Sequence, residues 1–168
     1  RTVVEICHEM MIPSGMGEEL QRQREMCIDP YTRVANRSKE LVPMEVKTVL
    51  TLEKSGKGLH VATTICNQAK DHRVRVVMPT GLNTSTHLAD SAFEVVKRNN
   101  RHNDTWTNPC GCERQQCFAA MEDETNGLLV ANRGLYEYEV LADEENAIAV
   151  TLLRSVAEMG DWGYFSLQ

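Results

Sequence analysis

The sequence predicts an all-β protein, and three observations carry that prediction. Short apolar runs with a period of two recur along the 168 residues, about eight to ten of them. Turn residues such as glycine, asparagine and proline separate neighbouring runs. No stretch shows the sustained apolar period of a long helix. Many strands joined by short turns are typical of a β-sandwich or a β-barrel.

The N-terminal part begins with a predicted strand. Residues 2–12 are mainly apolar with polar breaks, and Pro13 ends the run. Residues 14–28 carry only a thin apolar stripe at helical spacing, although Ser14 could cap a helix. We therefore expect a long loop there, with no more than one helical turn.

A β-hairpin and a third strand are predicted next. Apolar and polar residues alternate over 44–53, glycine-containing turn residues follow at 54–58, and the alternation resumes over 59–65. Two such runs across a short turn predict a hairpin. Because the segment 67–80 follows directly, we expect a three-strand meander as the nucleus of the sheet.

The segment 67–80 is the strand around which the sheet is predicted to form. Its side chains alternate between a charged face and an apolar face. Pro79 lacks an amide hydrogen, which predicts that the strand ends there. The charged face is either a covered ion-pair cluster or an ordinary solvent-exposed face, and exposed pairs contribute little. The residues of this predicted structural cluster are Asp71, His72, Arg73 and Arg75.

The second half of the chain continues with short strands. Residues 81–90 are interpreted as a polar connection, 93–96 as a strand, and 99–116 as the least regular part. Further strands are predicted at 118–121, 128–131, 136–141 and 147–153. The last of these is apolar on both faces, so we expect a central strand that is covered on both sides.

Several segments of the chain carry a family resemblance. They read Asn-Gln-Ala-Lys-Asp-His-Arg-Val-Arg-Val at 67–76, Pro-Thr-Gly at 79–81, Ala-Asp-Ser-Ala-Phe-Glu-Val-Val-Lys-Arg at 89–98, Gly-Leu-Leu-Val-Ala-Asn-Arg-Gly-Leu-Tyr-Glu-Tyr-Glu-Val at 127–140, Thr-Leu-Leu-Arg-Ser-Val at 151–156 and Gly-Asp-Trp-Gly-Tyr-Phe at 160–165. In this order they resemble the β-rich C-terminal half of glycoside hydrolase family 38 α-mannosidases of the bacterial type. The resemblance covers about residues 40–100 and 117–168.

The resemblance implies a fold and a place in a longer enzyme. It favours the β-sandwich over the barrel, with residues 1–168 as a single β-sandwich domain. The chain opens on Arg1, and we take it for an internal or C-terminal fragment of a longer enzyme. By resemblance, that parent hydrolyses α-mannosidic bonds with retention, using zinc and an aspartate nucleophile in an N-terminal α/β domain. The expected partners are this catalytic domain of the same chain and a mannoside substrate.

By the same resemblance, no catalytic residue and no cofactor are expected in this part of the enzyme. The histidine–aspartate motif that begins the family's catalytic domain is absent from the sequence. No position matches a zinc ligand or the nucleophile of the family. We expect the zinc to lie in the missing catalytic domain, and this fragment alone to be inactive.

The composition of the chain limits which partners it can bind and indicates the cellular compartment. The formal charge is −6 and the sequence pI about 5.4, which argues against nucleic-acid binding. No run of about 18 apolar residues is present to span a membrane, and the N-terminus does not resemble a signal peptide. Cys7, Cys27 and Cys66 stand in apolar or strand-like settings typical of reduced buried thiols, so we expect a cytoplasmic protein. Three Asn-X-Ser/Thr triplets point the other way.

Two carboxylates invite comparison with the acid pair of a glycosidase. Glu137 and Glu139 lie two positions apart on a predicted strand, so they share a face at a separation of about 7 Å. That separation lies within the range used by glycosidase carboxylates. However, side chains that point the same way do not flank a substrate bond. We therefore interpret this pair as a solvent-exposed strand face.

A group of cysteines in the irregular region is a further candidate site. Cys110, Cys112 and Cys117, with His102 upstream, are residue types that zinc prefers. Their spacing lacks the usual Cys-x2-Cys hook, and they do not belong to the family pattern. A metal site and a disulfide stay open as alternatives to free loop thiols, which we favour.

The turn Asn132-Arg133-Gly134 is the candidate binding site. Functional side chains often project from turns between the strands of a rigid sheet. Arg133 offers a planar fork of donors suited to sugar hydroxyls or a carboxylate, and Gly134 indicates a backbone conformation that other residues adopt poorly. The candidate substrate-binding residues are Asn132, Arg133 and Tyr136. The alternative is a turn that only connects two strands.

Two other classes of function stay open. A free-standing carbohydrate-binding module would need an exposed aromatic platform, yet only 5% of the residues are aromatic. A metal- or redox-responsive interaction domain would depend on the cysteines at 110–117. The aromatic tail at 160–165 is interpreted as a domain interface rather than as a sugar-stacking surface.

Overall fold

The computed structural model describes residues 1–102, 105, 111–142 and 145–155, with Tyr31 described by its backbone alone. The elements in these ranges are strand β1 (Thr2–Pro13), helix α1 (Glu18–Glu25), a 3₁₀ turn (Pro30–Thr32), and strands β2 (Leu41–Leu52), β3 (Leu59–Cys66), β4 (His72–Pro79), β5 (Thr86–Asp90), β6 (Val95–Asn99), β7 (Cys112–Arg114), β8 (Phe118–Glu122), β9 (Gly127–Ala131), β10 (Glu137–Leu141) and β11 (Ala147–Ser155). None of the helices in the described ranges has the length and apolar character needed to cross a membrane.

The chain divides into two compact units, of which the first contains residues 1–72 and the second is Arg73–Arg154. The two units are defined by their internal contacts, whereas a domain is defined by its ability to fold independently. The single domain over residues 1–168 therefore stays a prediction.

The first unit contains a three-stranded antiparallel sheet in the order β1-β2-β3. Strands β1 and β2 pair over twelve residues, from Thr2 opposite Leu52 to Pro13 opposite Leu41. Residues directly opposite each other in such a ladder share a face of the sheet. One face is therefore mainly apolar, and we call it the apolar face. It comprises Val4, Ile6, Met10, Ile12, Val42, Met44, Val46, Leu50, Leu52, Leu59, Val61 and Ile65.

Helix α1 shows that the predicted long loop over 14–28 is wrong. The helix is held by polar pairs on its surface, such as that between Glu19 and Arg22 at 2.9 Å. Its first turn is acidic, which suits the positive end of the helix dipole. Ser14 does not cap it; the N-cap is Gly17, which makes no side-chain cap hydrogen bond. The thin apolar stripe concealed the helix because charged pairs, not apolar burial, stabilise it.

The second unit is a β-sandwich, which confirms the predicted fold class. Its two four-stranded sheets have the orders β4-β11-β10-β7 and β6-β5-β8-β9. The buried core between them draws on both sheets. Its buried members are Leu82, Ala89, Ala119, Met121, Tyr138, Ile148 and Val150. Strand β11 lies between β4 and β10 and is buried over its first five residues, as predicted for a central strand.

Two predictions about sheet organisation are wrong. The hairpin of β2 and β3 is present, but its third strand is β1, whereas β4 pairs with β11. Thr86–Asp90 is not a connection but the strand β5, with His87 and Ala89 buried. The first error concerns a pairing between segments far apart in sequence, which local patterns do not reveal. The second concerns a strand that pairs with its sequence neighbour β6 and with β8, but whose polar residues resemble a loop.

Candidate functional site

The turn between β9 and β10 is the candidate site, and its backbone has the predicted form. Gly134 has φ 79°, in the left-handed region that disfavours residues with a Cβ. Arg133 is exposed, and Tyr136 is 62% exposed at the entrance to β10. The turn therefore presents a guanidinium and a phenol at one end of the sandwich.

Hydrogen bonds fix the backbone on both sides of this turn. The amide of Asn132 donates to the carbonyl oxygen of Cys117 at 2.8 Å, and the amide of Gln115 donates to the carbonyl oxygen of Tyr136 at 3.0 Å. The side-chain oxygen of Asn132 accepts from the amide of Leu135 at 3.2 Å. The side-chain amide of Gln115 donates to the carbonyl oxygen of Leu135. Only Arg133 and Gly134 lie between these anchors.

An ion-pair cluster joins three neighbouring strands of the β4-β11-β10-β7 sheet, namely β4, β11 and β10. Arg73 pairs with Glu137 at 3.3 Å and with Glu139 at 3.0 Å. Arg75 also pairs with Glu139. From β11, Arg154 pairs with Glu137 at 2.6 Å. These five residues form what we call the ion-pair cluster.

The cluster is partly covered, so the predicted solvent-exposed face at Glu137 and Glu139 is wrong. Their side chains are only 30% and 21% exposed. Burial raises the pKa of Glu137, but hydrogen bonds from Arg154 and Thr151 lower it by more, so that the pKa lies below its ordinary value. Two parallel carboxylates that are already held by arginines serve the structure rather than glycosidic acid–base chemistry.

Two members of the predicted cluster at 71–75, Arg73 and Arg75, lie in the ion-pair cluster. Their carboxylate partners there are Glu137 and Glu139 of β10. Asp71 precedes β4 with φ 55°, and its carbonyl oxygen accepts a hydrogen bond from Arg37. The Nδ1 atom of His72 lies 3.3 Å from the carbonyl oxygen of Lys70.

A buried polar network around Tyr138 escaped sequence reasoning. The Nε2 atom of His87 lies 2.8 Å from the hydroxyl of Tyr138, and both side chains are almost fully buried. Arg98 donates to the same hydroxyl at 2.8 Å, and the hydroxyl donates to Glu113 at 2.9 Å. Burial raises the pKa of Tyr138. The network places polar groups from four strands inside the sandwich, with their hydrogen bonds satisfied.

The cysteines predicted as buried thiols are exposed. Cys7, Cys27 and Cys66 all lie on the surface without a disulfide, so the prediction of burial is wrong. Cys112 accepts hydrogen bonds from Arg73 and Arg154. Cys117 is exposed.

The described part of the chain contains no group of three His, Cys, Asp or Glu side chains placed to hold a metal ion. Cys110 lies outside the described residues, and so does the tail at 160–165 with its predicted interface. A metal site on Cys110, Cys112 and Cys117 therefore stays an alternative to the free loop thiols that the sequence favours.

An open cavity of about 590 Å³ lies in the second unit. It is lined by Leu82, Asn83, Thr84, Ser85, Asn99, Arg101, Ala142 and Asn146. Amides and hydroxyls dominate this lining, but some are engaged within the protein: the Asn146 amide donates to the carbonyl oxygens of Leu82 and Thr84, each at 2.9 Å. None of the predicted site residues lines the cavity.

Comparison with known proteins shows which protein family this chain resembles. The family model for the glycosyl hydrolases family 38 C-terminal domain matches residues 19–158. A curated relative from Halalkalibacterium halodurans, named "Putative mannosylglycerate hydrolase", is 42% identical over 162 residues, which is 96% of this chain. The chain spans only 18% of that relative's length.

Solved structures agree with this match. An alpha-mannosidase from Enterococcus faecalis V583 aligns with a TM-score of 0.88 at 45% identity, over 96% of this chain and 18% of that one. A glycosyl hydrolase family 38 protein from Enterococcus faecalis aligns with a TM-score of 0.85 at 44% identity, over 97% of this chain and 18% of that one. The chain therefore belongs to glycosyl hydrolase family 38, as a part of its C-terminal domain.

Proposed function

We propose that the full-length protein hydrolyses an α-mannosidic bond and that this part of it supplies substrate contacts rather than the nucleophile. The observation that carries the proposal is the β9–β10 turn. Its exposed Arg133 stands between backbone anchors on both sides. A positioning group needs such support, because a misplacement of about 1 Å can lower a rate about a hundredfold.

The names of the relatives support the reaction class. One is named a mannosylglycerate hydrolase and another an alpha-mannosidase. A mannoside carries hydroxyl groups, and a glycerate aglycone adds a carboxylate. A guanidinium fork can donate paired hydrogen bonds to either group. We propose a mannoside as the substrate, with the catalytic domain of the same chain as the partner of this unit.

Within the turn, the three predicted contacts divide into two roles. Arg133 and Tyr136 are exposed and free to face a substrate. The side chain of Asn132 is turned inward: its oxygen accepts from Leu135, and its Nδ2 atom is buried. We propose that Arg133 and Tyr136 touch the substrate while Asn132 shapes the turn.

Zinc belongs to the catalytic domain in this proposal. The described residues offer no trio of ligand side chains to hold it, so we assign it no residue and no step here. A reducing, cytoplasmic location fits the four exposed cysteines without a disulfide among the described residues.

The test is Arg133→Ala in the full-length enzyme. We expect kcat/KM for an aryl α-mannoside to fall at least tenfold, about 1.4 kcal/mol of transition-state stabilisation. The unfolding midpoint should stay unchanged, because truncating an exposed turn side chain removes little packing. Arg114→Ala, which truncates another exposed arginine of the same unit, is the matched control and should retain full activity.

Full activity of Arg133→Ala would refute the proposed contact. A loss of activity accompanied by an equal loss of stability would make Arg133 a structural residue. Turnover by the 168-residue chain alone, retained after repurification from a host without mannosidases, would refute the assignment of the nucleophile to another part of the enzyme.

A further inference from the structure

We propose that Gln115 is a positioning residue that holds Arg133 in its working place. This inference rests on the proposed function, because it requires Arg133 to contact the substrate. Gln115 lies between β7 and β8, in the part of the chain that sequence patterns marked as least regular. It is only 2% exposed, so it cannot be a substrate contact itself.

Gln115 holds two consecutive carbonyl groups of the turn. Its side-chain amide donates to the carbonyl oxygen of Leu135. Its backbone amide donates to the carbonyl oxygen of Tyr136 at 3.0 Å. One buried residue thus fixes the backbone directly after Gly134, the residue with the left-handed conformation, and before β10 begins.

The other end of the turn is fixed by the same segment. Cys117, two residues after Gln115, accepts the amide hydrogen of Asn132 at 2.8 Å. The segment is itself attached to the end of β5: Gln116 and Cys117 donate their amide hydrogens to Asp90 at 3.0 and 3.1 Å. The turn is therefore tied through 115–117 to a strand of the sandwich core.

The choice of residue type at 115 fits this role. The Oε1 atom of Gln115 is buried and has no hydrogen-bond partner within the described residues. A buried acceptor without a partner destabilises a fold, so glutamine is a poor choice for packing alone. The Nε2 group of the same side chain donates a hydrogen bond to the Leu135 carbonyl oxygen. No apolar side chain could supply that donor.

Losing that donor should let the turn relax. The Leu135 carbonyl would seek a new partner, and the guanidinium two residues earlier would move with the backbone. Small displacements of a positioning group reduce rates strongly. The Gln115 backbone amide still holds the Tyr136 carbonyl, so most of the loss of activity should act through Arg133.

The experiment is a double-mutant cycle in the full-length enzyme with Gln115→Met and Arg133→Ala. Methionine has a similar length and no donor. We expect Gln115→Met alone to lower kcat/KM about five- to tenfold. In the Arg133→Ala background the same change should lower it by less than about twofold, because its target is already gone. Gln116→Met, the same substitution at the exposed neighbouring glutamine, should leave activity unchanged.

The outcomes separate this inference from the proposed function. Full activity of Arg133→Ala would overturn both. A loss in Arg133→Ala with none in Gln115→Met would overturn the positioning role alone, as would equal losses from Gln115→Met in both backgrounds. If Gln115→Met fails to fold, Gln115→Asn keeps the amide but shortens its reach, and the same pattern of non-additive losses is expected.

Discussion

The two units differ in how their sheets treat apolar side chains. In the second unit, two sheets face each other and Tyr138, Ile148 and Ala149 are fully buried. In the first unit, the apolar face of the β1-β2-β3 sheet remains open over much of its area, with Val4 and Val61 about half exposed. An antiparallel sheet needs one face covered by another layer. The second unit carries that layer within its own residues, whereas the described residues of the first unit show none.

From this difference we infer that the first unit depends on the rest of the polypeptide. Apolar surface of this kind marks a site of packing against another part of a protein. The relatives are much longer than this chain, which spans 18% of their length. We therefore propose that the apolar face is covered by another part of the same polypeptide, and that the sandwich of the second unit is stable without it.

The largest expected effect tests the core of the second unit. Tyr138→Ala removes a fully buried ring and leaves His87, Arg98 and Glu113 without their shared hydroxyl. We expect a loss of about 3–5 kcal/mol in the free energy of unfolding. Chemical denaturation measures the loss.

Amide hydrogen exchange would locate the stability loss caused by Tyr138→Ala, because protection should fall in β8, β10 and β11. The comparison breaks if Tyr138→Ala leaves the stability of the chain unchanged, since the sandwich would then not depend on its core. Tyr138→Phe, which keeps the ring and removes the hydroxyl, should lose about 1–3 kcal/mol and so separate packing from hydrogen bonding.

A smaller effect is expected from acid, through the ion-pair cluster of the second unit. The pKa of Glu137 is lowered in the fold, so the native state binds its proton less readily than the unfolded chain. Its contribution is present above the unfolded pKa near 4.5 and is lost as the pH falls through the lower folded pKa. The stability gap between the wild type and Glu137→Gln should therefore be widest above about pH 4.5 and narrow below it.

Denaturation curves between about pH 7 and pH 3 would measure this gap. Glu5→Gln in the first unit is the control. Glu5 pairs with Lys47 on an exposed sheet face, so its removal should give no resolvable gap at any pH. A gap for Glu137→Gln that does not change with pH would show that the cluster does not act through the charge of Glu137.

The smallest effect in the chain itself is expected at the apolar face. Val61 is 54% exposed, so Val61→Ser should lower the stability of the 168-residue chain by less than about 0.5 kcal/mol. In the full-length protein the same change should lower it by about 1–3 kcal/mol, because there it would bury a hydroxyl in place of an apolar side chain.

His60→Ser, on the opposite face of the same strand, provides the control and should have no effect in either protein. Equal, small losses for Val61→Ser in both proteins would show that the apolar face stays open in the full-length enzyme. The two units would then differ only in local packing and not in their need for the rest of the chain.

Local sequence pattern was sufficient to predict a structural feature where that feature depends on the residues of one short segment. The apolar run at 147–153 predicted a strand covered on both faces, and β11 is one. Pro13 and Pro79 predicted strand ends, and β1 and β4 end there. Gly134 predicted a special backbone conformation and has a positive φ. Each of these signals comes from side-chain alternation or backbone sterics within a few residues.

Local pattern failed where the deciding partner is remote. Glu137 and Glu139 look solvent-exposed until Arg73 and Arg75, more than sixty positions earlier, are brought beside them by β11. His87 looks isolated because its partner Tyr138 lies on another sheet. Only a knowledge of strand order would have shown that the glutamates of β10 lie beside these arginines.

The candidate site shows the same division. The turn at 132–134 was predictable from its residues and from the family resemblance. Gln115, which holds it, sits in a stretch with no periodicity, and its role depends on a contact across 20 positions. Sequence reasoning identified the exposed Arg133 and missed Gln115, whose hydrogen bonds fix the backbone beside it.

The pairing of β4 with β11 also bears on how the protein is made. These strands are neighbours in the sheet, yet about 70 residues of chain separate them. A ribosome adds about 5–20 residues per second, so β4 is synthesised several seconds before its partner exists. Throughout that interval its unpaired edge is open to other chains. The β4-β11-β10-β7 sheet can be completed only when β11 has left the ribosome.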